Sequence, residues 1–112
     1  MEAARKRPTH SLEEAKRLAR EGKMTINSRA QRFIANHMDV RNPFDEVASL
    51  VCSIRQDDFC ESQPLRVIPG QWGDVYRFVP YAGEEWYVKF FISPDGGLML
   101  NVMSANWEGY IH

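Results

Sequence analysis

The spacing of hydrophobic residues divides the chain into two parts. Between residues 11 and 54 apolar side chains recur every three or four positions, which is the period of an amphipathic helix. From residue 72 to residue 105 the period becomes two, which is typical of strands. The change predicts a single α+β domain over residues 1–112, with N-terminal helices packed on a C-terminal antiparallel sheet.

Capping signals mark where three helices begin. Ser11 followed by Glu14 forms a capping box, and Gly22 supplies the left-handed residue that ends the first helix. The other two helices are expected to begin at polar caps: Asn27 or Ser28, and Asn42 followed by Pro43.

Three segments interrupt these helices or precede them. Residues 1–10 are polar and basic and contain Pro8, so we expect a partly ordered basic arm. Residues 24–26 are interpreted as a short extended link. Residues 55–58 break the helical pattern, and Asp57 or Asp58 caps a brief turn that holds Phe59.

Three strands are predicted at residues 72–79, 85–92 and 98–105. Turns at residues 81–84 and 93–97 are rich in Gly, Pro and Asp, and such short connections demand antiparallel neighbours. In the middle strand one face is apolar and belongs to the core: Trp86, Val88, Phe90 and Ile92. Tyr87 and Lys89 therefore share the other face, roughly 7 Å apart.

The nearly neutral net charge of the chain excludes a protein that attracts nucleic acid through a strong overall electrostatic field. The chain has 14 basic and 15 acidic residues, so an RNA site must be a local patch. The basic residues are concentrated at one end, because residues 1–23 hold seven Lys or Arg against four Glu.

Neither a metal site nor a membrane span is expected from the sequence. Cys52 and Cys60 lack the spaced Cys and His partners of zinc sites and are interpreted as spectator thiols. No apolar run approaches the ~20 residues of a membrane helix, and charges occupy the place of a signal peptide's apolar core. We expect a cytoplasmic protein with no cofactor.

The strand residues match the needs of RNA cleavage without a metal ion, which requires a base, positive charge at phosphorus and an acid. Arg77 and Lys89 are candidates for the charge. Tyr87 exchanges a proton if neighbouring cations lower its pKa from about 10, and His112 titrates near neutrality. The alternative is a solvated arginine, ordinary strand residues and a frayed C-terminal histidine.

Two aromatic residues near Arg77 are candidates for binding substrate. Trp72 and Tyr76 are expected to offer rings on which unpaired bases stack. Ordinary packing in a strand is the alternative, since strands are generally rich in aromatic residues.

Four motifs occur in an order that resembles one known family. They are Asp58-Phe59-Cys60-Glu61-Ser62, Trp72-Gly73-Asp74-Val75-Tyr76-Arg77, Tyr87-Val88-Lys89 and Ser104-Ala105-Asn106. The sequence resembles the MqsR (motility quorum-sensing regulator) toxins, which are small bacterial endoribonucleases with a RelE/ParE-like fold. The resemblance implies a toxin that cleaves single-stranded mRNA and is neutralised by a cognate antitoxin.

The resemblance also implies a changed site. The family is associated with a lysine, a glutamine, a tyrosine and a second lysine, and this chain has Glu61, Gly73, Tyr87 and Asn106 at those places. In a rebuilt site Glu61 acts as the base, Asn106 contacts substrate, and residues 107–112 close over the site. The alternative is a non-catalytic module on the same scaffold that binds RNA or an antitoxin.

Overall fold

The structure, a computed structural model, describes residues 3–94 and 96–109. Its elements are α1 (Leu12–Arg20), β1 (Met24–Ile26), α2 (Ser28–Met38), α3 (Pro43–Ser53), a 3₁₀ turn (Gln56–Asp58), β2 (Phe59–Pro64), β3 (Trp72–Tyr81), β4 (Glu84–Ser93) and β5 (Met99–Trp107). The predicted α+β class, with helices first and sheet second, is confirmed. None of the described helices is long and apolar enough to cross a membrane.

The sheet has five strands in the order β1-β5-β4-β3-β2. The predicted meander of β3, β4 and β5 is confirmed, and its strands are antiparallel. Two further strands flank it, namely β1, which is parallel to β5, and β2, which is antiparallel to β3. The interpretation of residues 24–26 as a link and of Phe59 as part of a turn was therefore wrong. β1 has only three residues, and β2 lacks the alternating apolar pattern.

Side-chain caps begin all three helices at the predicted positions. The Ser11 hydroxyl accepts a hydrogen bond from the Glu14 amide at 3.1 Å. Asn27 caps α2 and Asn42 caps α3, each through its side-chain oxygen. Gly22, just beyond α1, has φ of 74°, as a C-terminal stop requires.

The helices cover one face of the sheet and leave the other open. Trp86, Val88 and Phe90 of β4 are fully buried with Leu18 of α1 and Ile34 of α2. Because side chains alternate along a strand, the intervening residues of β4 point away from the helices. We call this second side the open face. The paired positions Glu61, Val75, Lys89 and Ser104 form one row across it.

The N-terminal arm contacts the sheet through Arg5, Thr9 and His10. Arg5 exchanges two backbone hydrogen bonds with Ser62 of β2, at 2.8 and 2.9 Å. The amides of Thr9 and His10 donate to the carboxylate of Asp74, at 3.0 and 2.7 Å. Asp74 is fully buried, so these amides supply the hydrogen bonds that an interior carboxylate needs. The expectation of a partly ordered arm over residues 1–10 stays a prediction, and residues 1 and 2 lie outside the described part of the chain.

Replacing Asp74 with Ala should detach the arm and destabilise the domain. Two amides would lose their side-chain acceptor, so we expect a loss of about 2–4 kcal/mol in the free energy of unfolding. Urea unfolding measures that loss, and hydrogen exchange should show faster exchange at Thr9 and His10. The exposed Glu13 provides the control, because Glu13→Ala should cost about 0.5 kcal/mol or less. Equal stability of the two variants would contradict an anchoring role for Asp74.

Candidate functional site

Three of the predicted site residues lie together on the open face. β4 carries Tyr87 and Lys89, both half-buried, on this side of the sheet. Arg77 of β3 reaches the same side, with its Cζ 5.9 Å from the centre of the Tyr87 ring. A register shift in β3 between residues 76 and 79 accompanies this placement, and within it Phe78 adopts φ of 56°. The strands therefore bring two cations and a phenol together.

Glu108, which immediately follows β5, holds Arg77. The Arg77 Nε donates to Glu108 Oε1 at 3.1 Å, and its Nη2 forms an ion pair with the same oxygen. The other carboxylate oxygen accepts the Phe78 amide at 3.2 Å. Hydrogen bonding to Glu108 raises the pKa of Arg77 further above its ordinary value. The cation of Arg77 is thus permanent, but a nearly buried carboxylate offsets its charge.

Two contacts fix the position of Glu108. Its backbone amide donates to the Glu85 carbonyl at 2.7 Å. The preceding residue, Trp107, stacks on the ring of His37 at 5.4 Å between ring centres. The beginning of the predicted tail therefore lies against Arg77, while residues 110–112 fall outside the described part of the chain. The predicted role of His112 accordingly stays a prediction.

The environment of Tyr87 favours the protonated phenol. Burial raises the pKa of Tyr87, and electrostatic interactions with the acidic groups of Cys60, Glu61 and Glu108 raise it further. Arg77 acts in the opposite direction but does not reverse the shift. The condition under which Tyr87 was expected to exchange a proton, a pKa lowered by neighbouring cations, is not met, because burial and three acidic groups outweigh one cation that is already paired. At neutral pH the phenol of Tyr87 is protonated, so it can donate a proton but cannot accept one as a base.

Lys89 belongs to a chain of hydrogen bonds that crosses to β2. Its Nζ donates to Gln63 Oε1 at 3.1 Å, and Gln63 Nε2 donates to Glu61 Oε2 at 2.6 Å. Burial lowers the pKa of Lys89, and the charge of Glu61 partly opposes this shift. Gln63 was not predicted as a site residue. The signal that could have revealed it is its spacing of two from Glu61, which places both side chains on one face of a strand.

Gly73 provides the path that Lys89 takes to Gln63. A Cβ atom at position 73 would lie 2.9 Å from Lys89 Cε, closer than real Cβ contacts come, and 3.0 Å from Leu65 Cδ2, which is tighter than nine in ten of them. The lysine side chain therefore passes over Gly73, and any larger residue at this position would require it to shift. Gly73 has no side-chain amide, whereas the family resemblance implies glutamine at this position. The side-chain amide of Gln63 lies on the neighbouring strand, at the residue paired with Gly73.

Neither Trp72 nor Tyr76 presents a free ring, and the expectation that bases stack on them was wrong. Tyr76 is fully buried between Phe59 and Phe90, with ring centres 5.5 and 5.6 Å away. This burial raises the pKa of Tyr76 to about 12. Trp72 is 7% exposed, and the guanidinium of Arg5 lies 3.6 Å from its ring centre. Both residues belong to the side of the sheet that the helices and the arm cover.

Asn106 lies directly beside Tyr87 in the pairing of β4 with β5. It is half-buried and borders a cavity of about 440 Å³ that Arg29 and Arg32 of α2 also line. Its predicted contact with substrate stays a prediction. No group of three or more His, Cys, Asp or Glu side chains within residues 3–94 and 96–109 is arranged to hold a metal ion.

Substituting Gly73 with Ala should move Lys89 away from Gln63. The lysine tail is the most easily displaced neighbour, and its ammonium would become more hydrated, so its pKa should rise toward the ordinary 10.5. A pH titration followed by NMR of ¹³C-labelled lysine side chains measures this pKa. Ser104→Ala, which changes the residue paired with Lys89 on β5, is the control and should leave the pKa lowered. An unchanged pKa in folded Gly73→Ala protein would refute the account of Gly73.

Comparison with known protein families gives one match that spans most of the chain. The sequence profile of the family described as "Motility quorum-sensing regulator, toxin of MqsA" matches residues 7–104. No curated protein matches the sequence. The matched residues cover most of the chain, from the docked arm to β5, and include Glu61, Tyr87 and Lys89. The chain therefore belongs to the MqsR toxin family.

Proposed function

We propose that the protein is the toxin of a toxin–antitoxin pair and acts as a metal-independent endoribonuclease on single-stranded mRNA in the cytoplasm. The observation that carries the proposal is the grouping of a protonated phenol, Tyr87, with two cations, Arg77 and Lys89, on the open face. The carboxylate of Glu61 lies on the same face. Membership of a toxin family supports the biological role.

The proposed reaction is an internal transfer at phosphorus. The 2′-oxygen of a ribose attacks the adjacent phosphate, the new P–O2′ bond forms, and the P–O5′ bond breaks. One group must take the proton of the 2′-hydroxyl, and another must protonate the departing 5′-oxygen. The products are a 2′,3′-cyclic phosphate and a 5′-hydroxyl. No further reactant is consumed.

The environments of the side chains suggest how these tasks are divided. Tyr87 has a raised pKa and therefore donates its proton to the 5′-oxygen. Glu61 accepts the 2′-proton, and its hydrogen bond to Gln63 fixes the carboxylate's orientation. Lys89 and Arg77 stabilise the negative charge that builds up on the phosphate oxygens. Rigid strands hold all of these groups, which favours catalysis by positioning.

A second candidate function is binding without cleavage of RNA or of an antitoxin. The observation that favours it is that both cations have an acidic neighbour, Glu108 for Arg77 and Glu61 for Lys89. Such pairing weakens the attraction for a phosphate chain. Measurable affinity for RNA or for the protein encoded by the neighbouring gene, together with absent hydrolysis by the folded wild-type protein, would select this candidate.

Replacing Tyr87 with Phe should reduce cleavage about a hundredfold or more, because the ring is kept and the transferable proton is lost. The measurement is the rate at which a labelled single-stranded RNA yields the cyclic phosphate, with EDTA present. Tyr81→Phe is the matched control. The Tyr81 hydroxyl donates to Glu46 of α3 at 2.6 Å, away from the open face, so this change should leave the rate unaltered. Undiminished cleavage by Tyr87→Phe protein would reject Tyr87 as the acid.

Glu108→Gln should strengthen RNA binding by unmasking the charge of Arg77. The amide of Gln still offers an oxygen to the Phe78 N–H, so the backbone contact is retained. One additional phosphate contact should steepen the dependence of log affinity on log salt concentration by about 0.7. Fluorescence anisotropy at several salt concentrations measures this slope. Glu13→Gln on α1 removes a comparable charge far from the site, and an identical slope for both variants would show that Glu108 does not mask Arg77.

A further inference from the structure

We propose that a pocket beside Lys89 holds one unpaired nucleobase of the RNA whose backbone crosses the open face. We call it the base pocket. It has a volume of about 280 Å³, and its lining includes Gln63, Leu65, Arg66, Val67, Lys89 and Met103. The proposal rests on the proposed function, since it names a substrate contact of the same site.

The base pocket adjoins the reacting groups because Lys89 belongs to both. The aliphatic part of Lys89 lies over Gly73, and its ammonium reaches Gln63 at the pocket wall. A base seated there would have its own phosphate next to the ammonium of Lys89. Tyr87 stands two residues earlier on the same face of the same strand. The chain of a single nucleic acid strand can therefore continue from the pocket to the phenol.

The walls of the pocket suit the apolar faces of a base. Val67 is 77% exposed and is the most exposed large hydrophobic residue in the described part of the chain, whereas Leu65, which lines the same pocket, is buried. Met103 contributes an adaptable side chain from the opposite side, where a register shift interrupts the pairing of β4 with β5. Covering such exposed apolar surface is favourable, and a flat aromatic ring covers it well.

The polar groups at the pocket favour RNA over an apolar peptide. Arg66 and Lys89 supply two cations, which complement a phosphate chain. The amide of Gln63 uses one lone pair for Lys89 and one N–H for Glu61, so it retains one acceptor site and one donor for a ligand. A base edge that offers a donor beside an acceptor matches this amide. A base within a duplex has already used that edge, so the pocket selects unpaired RNA.

The test compares two exposed aliphatic residues. The probe is a fluorescent, random-sequence 2′-O-methyl RNA, which cannot be cleaved during the binding measurement. Val67→Asn should weaken the binding of this RNA about tenfold, because the variant loses an apolar contact with a base. Leu98→Asn is the matched control, since Leu98 is 43% exposed and does not line the base pocket, and its affinity should equal that of the wild type. Gln63→Glu should change which base is selected at one position when the bound RNA pool is sequenced.

The outcomes separate this proposal from the proposed function. Unchanged RNA affinity of Val67→Asn overturns the base pocket even if the wild-type protein cleaves RNA. Reduced affinity for the antitoxin with unchanged affinity for RNA also overturns it and assigns the pocket to a protein partner. Tenfold weaker RNA binding by Val67→Asn in a protein that never cleaves RNA supports the pocket and refutes the endoribonuclease. Absence of any RNA binding by the wild-type protein overturns both.

Discussion

One-sided burial of the sheet is the constraint on which the site depends. Trp86, Val88 and Phe90 fill the interior beneath the helices, and the strand period of two then fixes Tyr87 and Lys89 on the opposite side. A slip of one residue in β4 would bury an ammonium and expose an indole, so the hydrophobic core enforces the register. The same packing that stabilises the domain therefore determines which groups face a substrate.

Acidic side chains offset the charges of both cations in the candidate site. Glu108 faces Arg77, and Glu61 influences Lys89 through Gln63. In such an arrangement Arg77 and Lys89 can still contact a phosphate group. When the site is empty, the acidic neighbours keep the two cations from creating a strong positive field. This agrees with a nearly neutral chain, which has no general attraction for nucleic acid, so the RNA binding that we propose depends on local contacts.

Local signals in the sequence were sufficient to predict the helices, the meander and the side of the sheet on which Tyr87 lies. The caps at Ser11 and Asn42 and the alternation in β4 depend on neighbouring residues only. β2 was missed because Phe-Cys-Glu-Ser-Gln-Pro has no alternating apolar pattern, and Gln63 was missed with it.

Properties that depend on distant residues could not be predicted in this way. The burial of the Tyr76 ring depends on Phe59 of β2 and Phe90 of β4, which are distant from it in the sequence. The ion pair of Arg77 with Glu108 joins residues 31 positions apart. The raised pKa of Tyr87 depends on burial, which arises only when the strands assemble. Sequence patterns thus located the groups, and tertiary structure determined their protonation and their availability.

The docked arm also covers part of a sheet edge. β2 is an edge strand, and an exposed edge can pair with the edge of another molecule. Arg5 occupies the backbone groups of Ser62 at this edge, and Asp74 secures the following residues. The arm therefore blocks part of the β2 edge from pairing with another strand. Proteolysis or a fusion that lifts it away would uncover a template for intermolecular β-pairing and favour aggregation.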